Sequence, residues 1–240
     1  MNHTRNGKRL VIVWGAGGHG KVIVDALLAA DCCKIVGIVD DDVAKTGASI
    51  LGVRVLDFSG GMAKLASKTD FDGVAIGIGD NHVRSEKLRE ILELGIEPMN
   101  VIHPAAHMSR FVKLGKGVTI LAGATINPGT VIEDNVCVNT SASVDHDNYL
   151  HHSCHIFPNA TLAGGVRVGE HAYVGSGAVV VPNVTIGNYS YVGAGAVVLK
   201  DVPESVTVAG NPAAEIRAQL KRPDHQRSDQ RQWTQCLSKP

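Results

Sequence analysis

In the run Ser143-Val144-Asp145-His146-Asp147, a histidine stands between two carboxylates, an arrangement suited to general-base chemistry. Histidine titrates near neutrality, and a carboxylate beside it fixes the tautomer and stabilises the imidazolium formed when the ring takes a proton. Asp145 and Asp147 are both close enough in sequence to be that partner. A second constellation, Gly15-Ala16-Gly17-Gly18-His19-Gly20, matches GxGxxG, and Asp40 lies twenty residues beyond Gly20. In that pattern backbone amides at a helix start hold a diphosphate, and Asp40 or Asp41 accepts hydrogen bonds from a ribose or base.

These groups need elements to position them. Residues 9–40 read as strand, glycine turn, helix and strand, a βαβ unit. A further apolar run at 73–79 precedes the charge-paired helical stretch HVRSEKLREILELG and the strand-like EPMNVIH. The expectation is a small Rossmann-like parallel sheet over residues 1–105. Only one βαβ unit is clear and a second domain follows, which argues for a nucleotide-binding turn and against NAD.

The second domain is announced by a period of six. Every sixth residue from Leu114 through Val198 is Leu, Ile or Val, and the residue two before each is usually small or β-branched, as at Ala124, Val136, Ala160 and Ala178. Such a repeat builds one short strand and one corner per hexad, and three hexads close a triangular coil. The series predicts a parallel β-solenoid over 106–217 of about five coils, ~24 Å tall at the usual strand spacing. Residues 218–240 are polar and read as a disordered tail.

The repeat then sorts the candidates. His146 lies two residues past the inward Val144, so it occupies a corner and points outward. His151, His152, His155 and His171 suggest a zinc site. No two of these histidines, His146 included, are eighteen residues apart, so they do not stack along one corner. Cys154 falls in an inward slot, and Cys137, although outward, has no base near it in sequence.

The 23 basic and 23 acidic side chains cancel, which gives no reason to expect a nucleic acid or an anionic membrane as partner. Five cysteines without a CxxC spacing, behind a polar N-terminus, read as reduced thiols in a cytoplasmic protein.

The hexads of VRVGEHAYVGSGAVVVPNVTIGNYSYVGAGAVVLKDVP followed by AGNPAAEIR resemble the left-handed parallel β-helix acyltransferases. With WGAGGHGKVIVDAL, IVDDD, AIGIGDNHVR and NVIHPAA ahead of them in that order, the chain is similar to the sialic-acid O-acetyltransferase-like group. That group includes N-acetyltransferases acting on nucleotide-linked 4-amino-4,6-dideoxy sugars in bacterial glycan synthesis. The resemblance implies a left-handed coil, a homotrimer and acetyl-CoA as co-substrate, and the spacing of the histidines argues for no metal. The resemblance also implies that Gly17, Gly18, His19, Asp40, Asp41 and Gly79 contact the nucleotide sugar, with Asn81 and Arg84 nearby. It makes His146 the base, with Asp147 as its partner where the family carries Glu, and gives His155, Ser176 and Ala194 to the coenzyme. Sugar O-acetylation is the alternative within the class, and a non-catalytic solenoid binding module the alternative outside it.

Overall fold

The computed structural model describes residues 8–216, and the expected tail lies outside them. The first domain runs β1 (Arg9–Trp14), α1 (Gly18–Ala30), β2 (Cys33–Val39), α2 (Gly61–Lys68), β3 (Gly73–Ile76), α3 (Asn81–Glu93) and β4 (Glu97–Pro98). The strands form a parallel sheet in the order β2-β1-β3-β4. Strand β1 is central and covered on both faces, as a parallel strand requires. Val11 and Val13 pack toward Ile23 and Leu27 of α1, while Ile12 and Trp14 pack toward Met62 of α2 and Leu88 and Ile91 of α3.

The glycines of the first turn divide by function. Gly15 has φ +126°, a region that side chains rarely adopt, and a Cβ on Gly20 would lie 1.9 Å from the Gly15 carbonyl oxygen. Helix α1 therefore presses on the turn through backbone alone. A Cβ on Gly17 or Gly18 would meet nothing within 4 Å, so these two present open backbone to solvent. Gly20→Ala is expected to destabilise the domain by about 1–3 kcal/mol through overpacking. Gly17→Ala should change stability by less than about 0.5 kcal/mol. Urea unfolding of the two variants checks the contrast.

The second domain is a left-handed parallel β-helix. Its docked face carries Val101–Ile102, Thr119–Ile120, Cys137–Val138, His155–Ile156, Tyr173–Val174, Tyr191–Val192 and Thr207–Ala209, closed by antiparallel Ala214–Glu215. The second face has six strands, His107–Met108 to Val197–Val198, and the third has five, Lys113–Leu114 to Thr185–Ile186. The stack thus has about six turns where about five were expected. Ile102 and Met108 are in phase with the hexad series and extend it downward. At the top the phase slips, Tyr191 pairing with Thr207 where a regular coil would bring Ala209.

The interior follows the pattern read from sequence. The residues of the aliphatic series from Ile120 to Ile186, and the small ones between them, such as Ala124, Ala142, Ala160 and Ala178, are fully buried in one continuous core. The two domains meet within a few residues, β4 ending at Pro98 and the first solenoid strand starting at Val101. Val101 and Leu121 of the solenoid share a core cluster with α1.

Candidate active site

The first candidate region is the glycine turn. Asp40, at the end of β2, accepts hydrogen bonds from the Ala16 amide (2.6 Å), the Asp42 amide (2.9 Å) and Lys45 Nζ (3.0 Å). Partial burial opposes its ionisation, but the two amides and the lysine outweigh it and hold the carboxyl below its usual range. Asp40 thereby ties the turn to the sheet. Asp41 is more exposed and stands beside it, accepting from Trp14 Nε1 at 3.2 Å and Lys87 Nζ at 2.8 Å. Lys87 also lies over the Trp14 ring, 4.5 Å from its centroid. Gly17 and Gly18 at the start of α1 and Asp41 just past β2 are exposed, whereas His19 turns from the glycine turn toward Cys137.

The second region is the seam between the domains, where Arg84 is buried. Its Nε donates to Asn135 O (3.1 Å), Nη1 to Ile78 O and Gly79 O, and Nη2 to Asn81 Oδ1 (2.8 Å) and Ser153 O (3.0 Å). All five N–H donors of the guanidinium have protein acceptors, none of them a carboxylate. Burial lowers its pKa. Asn81 continues the lock, its amide nitrogen 3.2 Å from His171 O and its backbone N–H donating to the Tyr173 hydroxyl. The resemblance puts Asn81 and Arg84 near the nucleotide sugar. The structure places them under the turn, binding α3 to the docked face of the solenoid.

His155 lies in the same seam, 2% exposed. Its Nδ1 is 3.3 Å from the Gly79 carbonyl oxygen and its Nε2 is 3.1 Å from Asn139 Nδ2. Donation from Nδ1–H to the carbonyl and acceptance from the amide describe a neutral ring. Burial, then the Arg84 charge, hold its pKa well below that of free histidine. Phe157 stacks on the ring at 4.2 Å. His19 approaches from the glycine turn, its Nε2 4.0 Å from Cys137 Sγ, and burial with Arg84 lowers it to about 4. Burial pushes the Cys137 thiol up to about 11, so it remains protonated and packs as a weak donor.

Spacing pointed to none of the Cys137–His19 contact, the Asn139–His155 bond or the Arg84 lock. Part of the signal was present, because Cys137, His155, Tyr173 and Tyr191 recur at eighteen residues and stack on the docked face.

The third region is the corner between the second and third faces. His146 Nδ1 lies 2.9 Å from Asp147 Oδ2, and the two side chains are 61% and 72% exposed. Asp147 sits at φ +58°, a left-handed corner conformation that Asp tolerates better than most residues. Asp145 turns elsewhere, accepting from Asn127 Nδ2 and from the His146 amide, both at 2.8 Å. The hydrogen bond to Asp147, reinforced by the charge on Asp145, raises the His146 pKa. Nε2 is left as the ring's free nitrogen.

Ser176 and Ala194 are exposed and stack in consecutive coils, the Gly195 amide donating to Ser176 O at 2.9 Å. They line the corner between the docked and second faces, so the second face separates them from His146. The remaining histidines are scattered, His151 near Glu133 at 3.6 Å and His171 stacked on His82 at 4.8 Å. Among the described residues no group of three or more His, Cys, Asp or Glu is placed to hold a metal ion. No helix among them is long and apolar enough to cross a membrane.

Residues 10–91 match the PglD N-terminal domain family. Over 213 residues the chain is 30% identical to the GDP-perosamine N-acetyltransferase of Escherichia coli O157:H7, covering 85% of this chain and 95% of that one. PerB from Caulobacter crescentus, solved with CoA and GDP-perosamine, superposes with TM-score 0.79 at 41% identity, over 86% of this chain and 96% of that one. The acetyltransferase domain of PglB from Neisseria gonorrhoeae gives TM-score 0.78 at 35% identity, over 87% and 100%. With the glycine turn, the left-handed coil and an outward histidine–carboxylate pair in one chain, these likenesses place the protein in the family of hexapeptide-repeat acetyltransferases that act on nucleotide-linked amino sugars.

Proposed function

We propose that the chain moves the acetyl group of acetyl-CoA to the 4-amino group of a GDP-linked 4-amino-4,6-dideoxy sugar such as GDP-perosamine, in cytoplasmic synthesis of a bacterial surface glycan, with His146 as the base. The observation that carries this reading is the 2.9 Å contact between His146 Nδ1 and Asp147, which leaves Nε2 free to take a proton. The choice of GDP is supported by the two relatives whose names and ligands carry GDP-perosamine. Two solved variants of the Caulobacter enzyme, each with one histidine replaced, are consistent with a histidine-centred reaction.

The open backbone of Gly17 and Gly18 at the start of α1 holds the diphosphate, with His19, Asp41 and the Gly79 loop around the nucleotide sugar. The amine nitrogen attacks the thioester carbonyl carbon while His146 Nε2 removes one of its protons. The tetrahedral oxyanion collapses, the C–S bond breaks, and the imidazolium returns its proton to the departing thiolate. No acyl-enzyme forms. Asp147 keeps the proton of the resting ring on Nδ1, so that Nε2 presents its lone pair. Ser176 and Ala194 line the groove for the pantetheine arm, and His155 fixes the Gly79 loop beside the coenzyme corner through Asn139. Since one whole face separates His146 from Ser176 and Ala194, the site closes between subunits of a homotrimer, which brings the coenzyme corner of one chain to the histidine corner of the next.

The raised His146 pKa sets a pH dependence with a definite sign. The base form is present above that pKa, so kcat/KM falls as pH drops through it. Asp147→Asn removes the largest cause of the upward shift, and the acidic limb should move to lower pH. Because the tautomer is no longer fixed, the plateau rate should fall by about 10-fold. A pH–rate profile of the variant checks both, and an unmoved limb would separate Asp147 from the base. The substrate assignment is tested by thiol release from acetyl-CoA against GDP-, UDP- and dTDP-linked 4-amino sugars, with GDP expected to give the highest kcat/KM. Preference for another nucleotide would overturn the GDP assignment.

A further inference from the structure

We infer that Gly164 is a positioning residue for His146, acting through the side chain it lacks. The corner that carries His146 is built from equivalent residues in successive coils, namely Arg110, Pro128, His146, Gly164 and Pro182, whose flanking strands pair in register along the second face. Gly164 alone has no side chain. The backbone does not demand a glycine there, since residue 164 is not among those with positive φ, and Arg and Pro occupy the same corner in other coils.

The space that a side chain would fill is taken by the imidazole. A Cβ on Gly164 would lie 2.6 Å from His146 Cε1, 2.6 Å from Nε2 and 3.3 Å from Cδ2, and these are its three nearest neighbours. The ring therefore rests against the next coil with its Cε1–Nε2 edge in the place a side chain of residue 164 would take. The coils themselves cannot part to make room, because the Gly165 amide donates to His146 O and the Asn183 amide to Gly164 O, each at 3.0 Å. Two contacts thus fix the ring, Asp147 at Nδ1 and the bare Gly164 under Nε2. Gly129, one coil below Asp147, also has a carboxylate over it, but its φ of +79° already accounts for glycine there. At Gly164 the only close neighbour is the proposed base.

This inference rests on His146 as the base, and the test separates the two. In Gly164→Ala the methyl must turn the ring away, and displacement of a reacting group by about 1 Å costs on the order of 100-fold in rate. With acetyl-CoA and GDP-perosamine, kcat should fall about 10- to 100-fold at nearly constant KM. In the protein without substrates, labelled-histidine NMR should show the His146 pKa dropping toward that of free histidine as the Asp147 contact is lost. Added to His146→Ala, the same substitution should cost nothing further. Gly164→Ser should behave as Gly164→Ala does.

A normal kcat with an unmoved His146 titration overturns the inference, and so does an equal further loss on the His146→Ala background. A fully active His146→Ala would sink the base reading alone, and the positioning claim would then stand or fall on the titration.

Discussion

His146→Ala is expected to lower kcat by about 100- to 10,000-fold, the range that general-base catalysis contributes when its group is removed. The loss should fall on kcat and leave both KM values nearly unchanged, because the side chain is 61% exposed and its only polar partner is Asp147. For the same reason the fold should not suffer, since the strands beneath it are held by Val144 and Leu162 in the solenoid core. Steady-state thiol release beside a thermal melt separates the two effects. A melt like that of the parent with kcat reduced at least 100-fold is the expected outcome. A variant with parental kcat would show that the amine loses its proton to solvent or to another group, and the assignment of His146 would fall.

The second large effect concerns stability. Arg84→Met should destabilise the union of the two domains by about 2–4 kcal/mol, because it leaves several buried carbonyls without donors. Asn135 O and Ser153 O belong to the solenoid, and Ile78 O and Gly79 O to the loop that enters α3, so one side chain joins parts far apart in the chain. Methionine fills similar volume but donates nothing. Lysine should restore little, since a single ammonium cannot reproduce five N–H groups in a plane. Chemical denaturation should show a lower midpoint for both variants, with amides of α3 exchanging faster. An unchanged midpoint would mean that water replaces the guanidinium at no cost.

Much of this molecule was legible in the sequence where one force dominates. The hexad series from Leu114 to Val198 is written by burial alone, and each of its positions from Ile120 to Ile186 proved to be in the core. The ends of the series were harder to read. Met108 and Ile102 keep the phase, but the strand Val101–Ile102 follows β4 after only Met99 and Asn100, with no linker composition to mark where one domain stops. At the corner the sequence offered two carboxylates for His146, and the left-handed turn at Asp147 is what brings that carboxylate to Nδ1 while Asp145 faces Asn127.

The polar residues of the seam were least legible, for a physical reason. Arg84, Asn81 and His155 bond mainly to backbone carbonyls and an amide on another element, and such partners leave no trace in residue type or spacing. Asp40 is similar, a residue whose position after GxGxxG suggests a ligand contact and whose oxygens accept from the turn itself. The eighteen-residue coil is the more general key. Applied to every polar residue, it sets His155 above Cys137 on the docked face and Gly164 above His146.

The central claim is that an amine on a nucleotide-linked sugar receives the acetyl group. Incubation of the protein with acetyl-CoA and GDP-perosamine, followed by NMR of the purified product, tests it most directly. The expected product carries one new acetyl group, attached through an amide at the 4-nitrogen, and the analogue carrying a 4-hydroxyl gives no turnover. Acetylation of the hydroxyl analogue with the amine left untouched would contradict it and make the protein a sugar O-acetyltransferase.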